Sequence, residues 1–255
     1  LIPFLLISSL FQAIIIMIKV RPVVVLGMGG FASGPGGIAA WLMRIPLLIH
    51  EQNAMAGLTN RLLTPFASLI MTAFPEVFKK SNKVIVTGNP IREDIKNISN
   101  PDQRYECRDI KTLKVLVLGG SQGSNPLNNH FLSNYKKYLN MGIQIIWQCG
   151  DRNLNQIKSS IKEGNIHLFG FTDNMNYYYS AADLVICRAG ALTLTELSIY
   201  NKACILVPFP FAAEDHQFKN AQYYKAMGAA EIIEQKFLNR GMLENKVEEL
   251  FNNPE

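Results

Sequence analysis

Short apolar runs alternate with helix-length amphipathic segments along most of the chain. The runs are rich in β-branched residues and apolar at successive positions, which indicates strands buried on both faces. Parallel sheets covered by helices have this pattern, so the sequence predicts an α/β fold. The predicted strands are residues 23–26, 47–50, 68–72, 83–86, 114–118, 144–148, 166–169, 183–187, 204–207 and 230–233, and the predicted helices include residues 37–44, 58–66, 127–139, 192–200 and 217–227.

Residues 91–111 interrupt this alternation, because they are polar and have little apolar periodicity. A new strand and a new glycine loop follow them, which indicates a domain boundary. We therefore predict two doubly wound parallel-sheet domains, residues 1–92 and 93–255. Such domains bind ligands at the carboxyl ends of their strands, and we expect the two to face a cleft there.

Residues 1–18 contain no charged side chain. About 18 apolar residues approach the thickness of a bilayer, but Pro3 and three polar side chains interrupt the run. The charges of the first fifty residues, Lys19, Arg21 and Arg44, are all positive. These features favour a helix that lies on an anionic membrane surface, with a core helix and a membrane span as the alternatives.

Composition narrows the class of protein. The chain is 48% hydrophobic and 18% charged, as in globular rather than disordered proteins. Its net charge of +5 is spread along the chain, which favours a phosphate group or a membrane surface over nucleic acid as partner. The four cysteines, Cys107, Cys149, Cys187 and Cys204, lack metal-ligand and redox spacing, so we predict reduced thiols in the core.

The first glycine-rich segment runs from Gly27 to Gly37, between a predicted strand and a helix. Gly27, Gly29 and Ala32 match the dinucleotide fingerprint G-x-G-x-x-G/A, and Glu51 follows about 20 residues on. This leaves a dinucleotide-dependent oxidoreductase open. The segment His50-Glu-Gln-Asn-Ala-Met-Ala-Gly-Leu-Thr-Asn60 then gathers polar side chains that suit a polyhydroxylated ligand, or a turn that caps the next helix.

The second glycine-rich loop is Gly119-Gly-Ser-Gln-Gly-Ser124. Its backbone amides and the Ser121 hydroxyl suit a diphosphate at a helix start, although a tight strand–helix turn is the alternative. No lysine follows as in a P-loop, which disfavours nucleotide hydrolysis.

The segment Cys187-Arg-Ala-Gly-Ala-Leu-Thr-Leu-Thr-Glu196 offers free first-turn amides at residues 191–193 and a carboxylate one turn on. Glu196 could accept hydrogen bonds from a ribose diol, or interact only with the helix dipole. Arg92, which ends Gly88-Asn-Pro-Ile-Arg92, could meet a phosphate or a base, or lie solvated at the domain hinge. His216 and Gln217 begin a helix where they could touch sugar hydroxyls, with capping and a surface histidine as the alternatives.

Together these segments resemble the MurG family of glycosyltransferases, through G-M-G-G-F-A-S-G-P-G-G, H-E-Q-N-A-M-A-G-L-T-N, G-N-P-I-R, G-G-S-Q-G, C-R-A-G-A-L-T-L-T-E and E-D-H-Q-F-K-N-A. The resemblance implies a two-domain GT-B enzyme that moves N-acetylglucosamine from a UDP-sugar to lipid I, with inversion at the anomeric carbon. It implies an N-terminal acceptor and membrane-side domain and a C-terminal UDP-sugar-binding domain. A non-catalytic UDP-sugar-binding protein is the alternative.

The resemblance also assigns roles to residues. Phe171 and Thr172 read the uracil, Glu196 binds the ribose, and Ser121 contacts phosphate. The turn that follows Gly190 lies beside the diphosphate. The donor-site residues implied in this way are Asn53, Arg92, Ser121, Phe171, Thr172, Ala191, Leu192, Thr193, Leu194, Thr195, Glu196, His216 and Gln217, of which Asn53, His216 and Gln217 face the sugar and Arg92 lies near the donor.

The family lies on the cytoplasmic face of the bacterial inner membrane, and the resemblance places Leu6, Ile7, Leu10 and Trp41 in its membrane-contacting patch. It requires no metal or other cofactor, and the sequence has no Asp-x-Asp pair for a cation. The family's first glycine loop, G-G-T-G-G-H, is not among these residues. We therefore expect a fragment that starts after that loop and stops before the family's last helices. The catalytic base stays unassigned, since Glu51 is a weak substitute, and we expect weak donor binding and negligible turnover.

Overall fold

The computed structural model describes residues 2–96, 112–162 and 165–252. The chain divides into two compact units. The first comprises Leu1–Pro90 together with Ala213–Lys219, and the second comprises Ile91–Ala212 and Asn220–Glu255. The segment Ala213–Lys219 therefore packs with the first unit although it lies far along the chain. The predicted division at residue 92 does not include this return of the chain.

The first unit is a four-stranded parallel sheet with helices between its strands. The strand order is β1-β2-β3-β4, the same as the order along the chain. A core of aliphatic side chains joins the sheet to its helices, and a second small core joins α1 to α2. The elements are α1 (Ile2–Val20), β1 (Val25–Gly27), α2 (Gly30–Leu42), β2 (Leu47–Glu51), α3 (Leu58–Leu63), β3 (Leu69–Thr72) and β4 (Val84–Val86).

The second unit contains a six-stranded parallel sheet in the order β10-β9-β8-β5-β6-β7. Its elements are α4 (Glu93–Lys96), β5 (Lys114–Leu118), α5 (Asn125–Asn140), β6 (Gln144–Gln148), α6 (Asp151–Ser160), β7 (Ile166–Phe169), α7 (Met175–Ala181), β8 (Leu184–Cys187), α8 (Ala191–Ile199), β9 (Ala203–Leu206), α9 (His216–Ala226), β10 (Ala230–Ile232) and α10 (Met242–Asn252), and α9 begins within the segment that packs with the first unit.

Every residue of β5 is buried, and its side chains point alternately into two cores. Val115 and Val117 belong to the core on one face of the sheet, whereas Leu116 and Leu118 belong to the core on the other. This burial on both faces is the reason for the unbroken apolar run in the sequence. The predicted class, two parallel-sheet α/β domains, is confirmed.

The strand order places a topological switch point between β5 and β8. From β5 the chain adds β6 and β7 on one side, and it then crosses back to add β8, β9 and β10 on the other. The loops that leave β5 and β8 therefore diverge to opposite faces of the sheet. Ligands of open α/β sheets bind in the crevice that this divergence opens at the carboxyl ends of the strands.

The predicted start of α2 was wrong. The helix begins at Gly30 rather than at residue 37, and it accommodates Pro35 in its second turn with the loss of one backbone hydrogen bond. Gly37 is needed for packing and not for a loop, because a Cβ there would lie 2.7 Å from a Leu63 methyl. The turn itself depends on Gly29, whose φ of 83° and ψ of −173° favour glycine.

Among the described residues, no helix combines the length and the apolar character that crossing a bilayer requires. The helix predicted for residues 1–18 is α1, whose side chains from Phe4 to Ile7 are all exposed. Cys149, Cys187 and Cys204 are free and buried, as predicted. Cys107 and most of the interruption at residues 91–111 lie outside the described residues.

Candidate functional site

A cavity of about 190 Å³ lies at the switch point of the second unit. It is bounded by the ends of β5 and β8, by the loops that follow β5 and β7, and by α7 and α8. Six of the residues singled out from the sequence line it together, although they are spread over more than a hundred positions. These six are Arg92, Ser121, Phe171, Thr172, Thr193 and Glu196.

The loop that follows β5 is held by backbone contacts that only glycine permits. Gly123 has a φ of +75°, and a Cβ there would meet the carbonyl oxygen of Cys149. A side chain at Gly119 would likewise collide with the backbone of Gly123, whereas Gly120 has open space around its Cα. The loop therefore passes close to the end of β6 while Gly120 leaves its backbone open to a ligand.

Gln148 ties this loop to the next one and was not identified from the sequence. Its Oε1 accepts a hydrogen bond from the Gly119 N–H at 3.1 Å. Its Nε2 donates to the carbonyl oxygen of Gly120 at 3.0 Å and to that of Gly170 at 2.8 Å. One buried amide thus fixes the candidate phosphate loop relative to the loop that carries Phe171. Its place at the end of an apolar strand was the only signal in the sequence.

Helix α8 begins at Ala191, directly after β8. Thr193 lines the cavity, but Leu192 and Thr195 do not, and Thr195 Oγ1 donates to the carbonyl oxygen of Ala191 at 2.9 Å. The Leu194 side chain is fully buried in the core, and its N–H donates to the Gly190 carbonyl. Of the residues predicted at the start of this helix, from Ala191 to Thr195, only Thr193 lines the cavity.

The Glu196 carboxylate enters the cavity from the next turn of α8. Its Oε2 accepts a hydrogen bond from the Tyr179 hydroxyl at 2.8 Å, and its Oε1 lies 3.6 Å from Arg92 Nε. Burial, followed by the neighbouring carboxylate of Glu196, raises the pKa of Tyr179. The hydroxyl is therefore protonated and acts as a donor to the carboxylate.

The guanidinium of Arg188 lies at the cavity wall and donates to four acceptors. Its Nη1 donates to the carbonyl oxygens of Val207 and Pro208 at 3.0 and 3.2 Å. Its Nη2 donates to Ser124 Oγ at 2.8 Å and to Gln235 Oε1 at 2.7 Å. All four acceptors are neutral, and burial lowers the pKa of the guanidinium. A positive charge held in this way suits an anionic ligand.

A second cavity, of about 390 Å³, lies within the first unit. The turn at Gly29 and Gly30, the segment after β2 and the segment 213–216 surround it. Three residues were expected to face a sugar. Asn53 and His216 line this cavity, whereas Gln217 is half-buried and does not line it. Arg61 stabilises this arrangement through a salt bridge of 2.7 Å to Glu214.

Glu51 at the end of β2 organises this cavity. Its carboxylate is almost fully buried and accepts hydrogen bonds from the backbone N–H groups of Asn53 and Gly57 and from the side-chain amides of Asn53 and Asn60, at 2.7–3.2 Å. Both oxygens are thus occupied by neighbours in the chain. The carboxylate is not free for the ribose of a dinucleotide, which disfavours that interpretation of the first glycine loop.

An apolar groove of about 520 Å³ lies between α1, α2 and α3 in the first unit. Leu6, Ile7 and Leu10 line it, and Trp41 lies nearby on α2, half exposed and packed against Phe66 with ring centroids 4.9 Å apart. The four residues that the resemblance assigned to membrane contact therefore belong to elements that also bear many exposed apolar side chains.

The chain matches known glycosyltransferases over both units. Residues 2–72 match the glycosyltransferase family 28 N-terminal domain, and residues 114–255 match the glycosyltransferase family 28 C-terminal domain. A protein of Coxiella burnetii (strain Dugway 5J108-111) is 42% identical over 93% of this chain and 67% of its own length. It is named UDP-N-acetylglucosamine–N-acetylmuramyl-(pentapeptide) pyrophosphoryl-undecaprenol N-acetylglucosamine transferase. The chain belongs to the MurG family.

A MurG-family protein of Acinetobacter baumannii with the same name is 40% identical over 98% of this chain and 70% of its own length. The crystal structure of Acinetobacter baumannii MurG superimposes with a TM-score of 0.79 at 36% identity, over 96% of this chain and 70% of that one. The chain thus spans about two thirds of the length of these MurG relatives. It has their GT-B class of fold, built from two parallel-sheet domains, and it is a glycosyltransferase.

Proposed function

We propose that this protein transfers N-acetylglucosamine from UDP-N-acetylglucosamine to the 4-hydroxyl of lipid I, which gives lipid II for peptidoglycan synthesis. The names of the relatives in the MurG family supply the donor and the acceptor. The observation that carries the proposal is the cavity at the β5/β8 switch point, because it combines a glycine loop, a helix start, an acid and a partly buried cation. Those are the groups that a uridine diphosphate requires.

Each part of the donor nucleotide has a complementary group in the second unit. The uracil lies against the segment at Phe171 and Thr172, the ribose diol binds Glu196, and the diphosphate lies between Ser121 and the start of α8. Arg188 and Arg92 provide positive charge on the same cavity. Charge that develops on the leaving diphosphate is stabilised by these fixed dipoles and cations, so the reaction proceeds without a metal.

The sugar and the acceptor bind at residues of the first unit. Asn53 and His216 line its cavity beside Gly29 and Gly30, and Gly30 has open space around its Cα. These two residues contact the N-acetylglucosamine, whereas Gln217 does not line this cavity and is given no contact with the sugar. The acceptor hydroxyl attacks the anomeric carbon from the face opposite the diphosphate and inverts it. The group that removes the proton from this hydroxyl is unassigned.

Helix α1 and its neighbours bring the protein to the cytoplasmic face of the inner membrane. Among the exposed side chains are Phe4, Phe11 and Ile16 of α1 and Phe31 and Trp41 of α2. An exposed apolar area of this size is typical of a membrane or protein contact. The positive charges Lys19, Arg21 and Arg44 flank it and favour anionic lipids. Such a location serves cell-wall growth, and with it cell shape and division.

Calorimetry with the purified chain tests the donor assignment. We expect UDP-N-acetylglucosamine and UDP to bind without added metal, NAD not to bind, and Glu196→Ala to lose roughly 1–3 kcal/mol of UDP binding. Transfer of labelled sugar to a lipid I analogue, with and without EDTA, tests the reaction. Binding of NAD in place of UDP, or wild-type affinity in Glu196→Ala, would contradict the assignment.

Sedimentation with lipid vesicles tests the membrane contact. Vesicles that contain anionic lipid should bind the chain, neutral vesicles should bind it less, and Phe11→Ser with Ile16→Ser should weaken both. A matched pair of substitutions at exposed positions of the second unit, Phe251→Ser with Met242→Ser, is the control. Equal loss of binding in both pairs would assign the effect to general hydrophobicity and contradict a contact through α1.

A further inference from the structure

Tyr179 and Arg92, two polar neighbours of the Glu196 carboxylate, differ in their distance from it and in their rigidity. The Tyr179 hydroxyl donates a hydrogen bond of 2.8 Å to Oε2. Arg92 Nε lies 3.6 Å from Oε1 and also 3.8 Å from the Asp94 carboxylate. The arginine side chain is 46% exposed and divides its charge between two acids. Tyr179 is therefore the neighbour that defines where the carboxylate points.

The position of Tyr179 is determined by the core. Its side chain is 2% exposed, and its ring packs against that of Tyr200 with centroids 5.4 Å apart. It belongs to the same buried cluster as Leu194 and Leu197 of α8, the helix that carries Glu196. The phenol oxygen is thus a fixed point relative to α8. Because burial and the adjacent carboxylate raise the pKa of Tyr179, the group remains a donor throughout the physiological range.

A fixed donor matters because the last torsion of a glutamate side chain is broad. A carboxylate accepts two hydrogen bonds from a cis-diol only when its plane is correctly oriented. The bond from Tyr179 uses one lone pair of Oε2 and holds that plane, while Oε1 lies 3.6 Å from Arg92 Nε, beyond hydrogen-bond distance. Without it, the attraction of Arg92 would rotate the carboxylate towards the guanidinium.

We propose that Tyr179 is a positioning residue that holds the Glu196 carboxylate for the ribose diol and thereby sets the preference of the site for ribonucleotides over 2′-deoxyribonucleotides. The inference rests on the proposed function, in which Glu196 binds the ribose of the donor. Phenylalanine at this position keeps the ring and its packing and removes only the hydroxyl.

The test compares the affinities of UDP and 2′-deoxy-UDP by calorimetry in four proteins: the wild type, Tyr179→Phe, Tyr200→Phe and Glu196→Gln. We expect the wild type to prefer UDP by roughly tenfold or more, the range of a hydrogen bond to a charged group. Tyr179→Phe should bind UDP roughly threefold to tenfold more weakly and bind 2′-deoxy-UDP about as the wild type does. The ratio of the two affinities is therefore smaller in this variant than in the wild type. A general loss of folding would weaken both ligands equally and leave the ratio unchanged.

Tyr200→Phe is the matched control, since it removes a buried hydroxyl from the adjacent ring. That hydroxyl donates to the Ile95 carbonyl oxygen at 3.3 Å. This variant should keep the wild-type ratio. If Tyr179→Phe keeps the wild-type ratio of UDP affinity to 2′-deoxy-UDP affinity, the inference is overturned. The ribose assignment of Glu196 still stands in that case, provided that Glu196→Gln no longer prefers UDP. An unchanged ratio in Glu196→Gln overturns that assignment and the inference with it.

Discussion

The carboxylate of Glu51 accepts two hydrogen bonds from Asn53 at the same oxygen, one from the backbone N–H at 3.1 Å and one from the side-chain amide at 3.2 Å. The other oxygen accepts from Gly57 and Asn60. The side chain that we propose for sugar contact is therefore oriented by a buried acid. We therefore expect Glu51 to act on the ligand through Asn53, because both of its oxygens already accept hydrogen bonds.

The change Glu51→Gln tests this arrangement. In glutamine an NH2 group replaces one carboxylate oxygen and faces donors instead of accepting from them. The loop therefore loses the two hydrogen bonds that this oxygen accepted. We expect a loss of about 2–3 kcal/mol in the free energy of unfolding and weaker binding of UDP-N-acetylglucosamine. Urea denaturation measures the first. The exposed Glu248→Gln is the control, and equal stability of both variants would show that the four bonds contribute little.

The change Gly123→Ala tests the close approach of the second glycine loop to β6. The left-handed conformation costs about 1–2 kcal/mol for a residue with a side chain, and contact with the Cys149 carbonyl adds to it. Gly142→Ala has a similar φ of +78° but open space, so it isolates the conformational cost. In thermal denaturation Gly123→Ala should melt well below Gly142→Ala. Equal melting temperatures of the two variants would show that the contact with the Cys149 carbonyl costs little.

The change Gln148→Leu tests the amide that joins two loops of the donor cavity. It leaves the Gly119 N–H and two carbonyl oxygens without their partner, which should cost about 1–3 kcal/mol of stability. UDP affinity should fall as well, since both loops line the cavity. Gln144→Leu changes a buried glutamine at the opposite end of the same strand and should leave UDP affinity unaltered. Parallel losses of affinity in the two variants would contradict a local effect.

His130 predicts a dependence of stability on pH. Its Nε2 lies 2.9 Å from the Tyr138 hydroxyl in the core, and burial lowers its pKa although Glu244, 3.9 Å away, opposes the shift. In the unfolded chain the pKa of His130 is about 6.5, so the unfolded chain binds the proton more readily than the folded chain does. Stability is fully present above about pH 7 and declines as pH falls through 6.5 towards the lower folded value.

The measurement is the melting temperature of the wild type and of His130→Gln between pH 7.5 and pH 5. The variant should be less stable at pH 7.5 and show a flatter decline towards acid pH. The half-exposed His216→Gln serves as the control and should decline as the wild type does. A wild-type slope in His130→Gln would show that other groups cause the decline.

The inner strands of the larger sheet could be predicted from the sequence because β5, β6 and β8 are buried at every position. The bounds of β5, β6 and β7 agree with the prediction to the residue, since each run is apolar throughout or nearly so. The start of α2 could not be predicted, because its glycines and Pro35 resemble a loop. They are tolerated because α3 packs closely against them, which is a tertiary contact that local pattern does not contain.

Four of the six cavity residues, Arg92, Ser121, Thr193 and Glu196, could be predicted from motifs that directly follow strands, where the fold itself gathers them. Phe171 and Thr172 were implied only by the resemblance to the MurG family. Tyr179 and Gln148 could not be predicted, because each acts through a partner on another element. Arg188 stood within a quoted motif, yet its acceptors lie at Ser124, Gln235 and the end of β9. Only the packed structure brings these groups together.

The guanidinium of Arg188 also has a consequence for the protein before it meets its donor. The five N–H groups of the guanidinium share one positive charge in a partly buried place, where four neutral oxygens accept hydrogen bonds and the Phe209 ring lies 5.6 Å away. None of these four acceptors is an acid, so a diphosphate bound beside the guanidinium stabilises its charge. Occupancy by nucleotide should make the second unit harder to melt, and a cell that is rich in the sugar nucleotide would keep this enzyme in its most durable form.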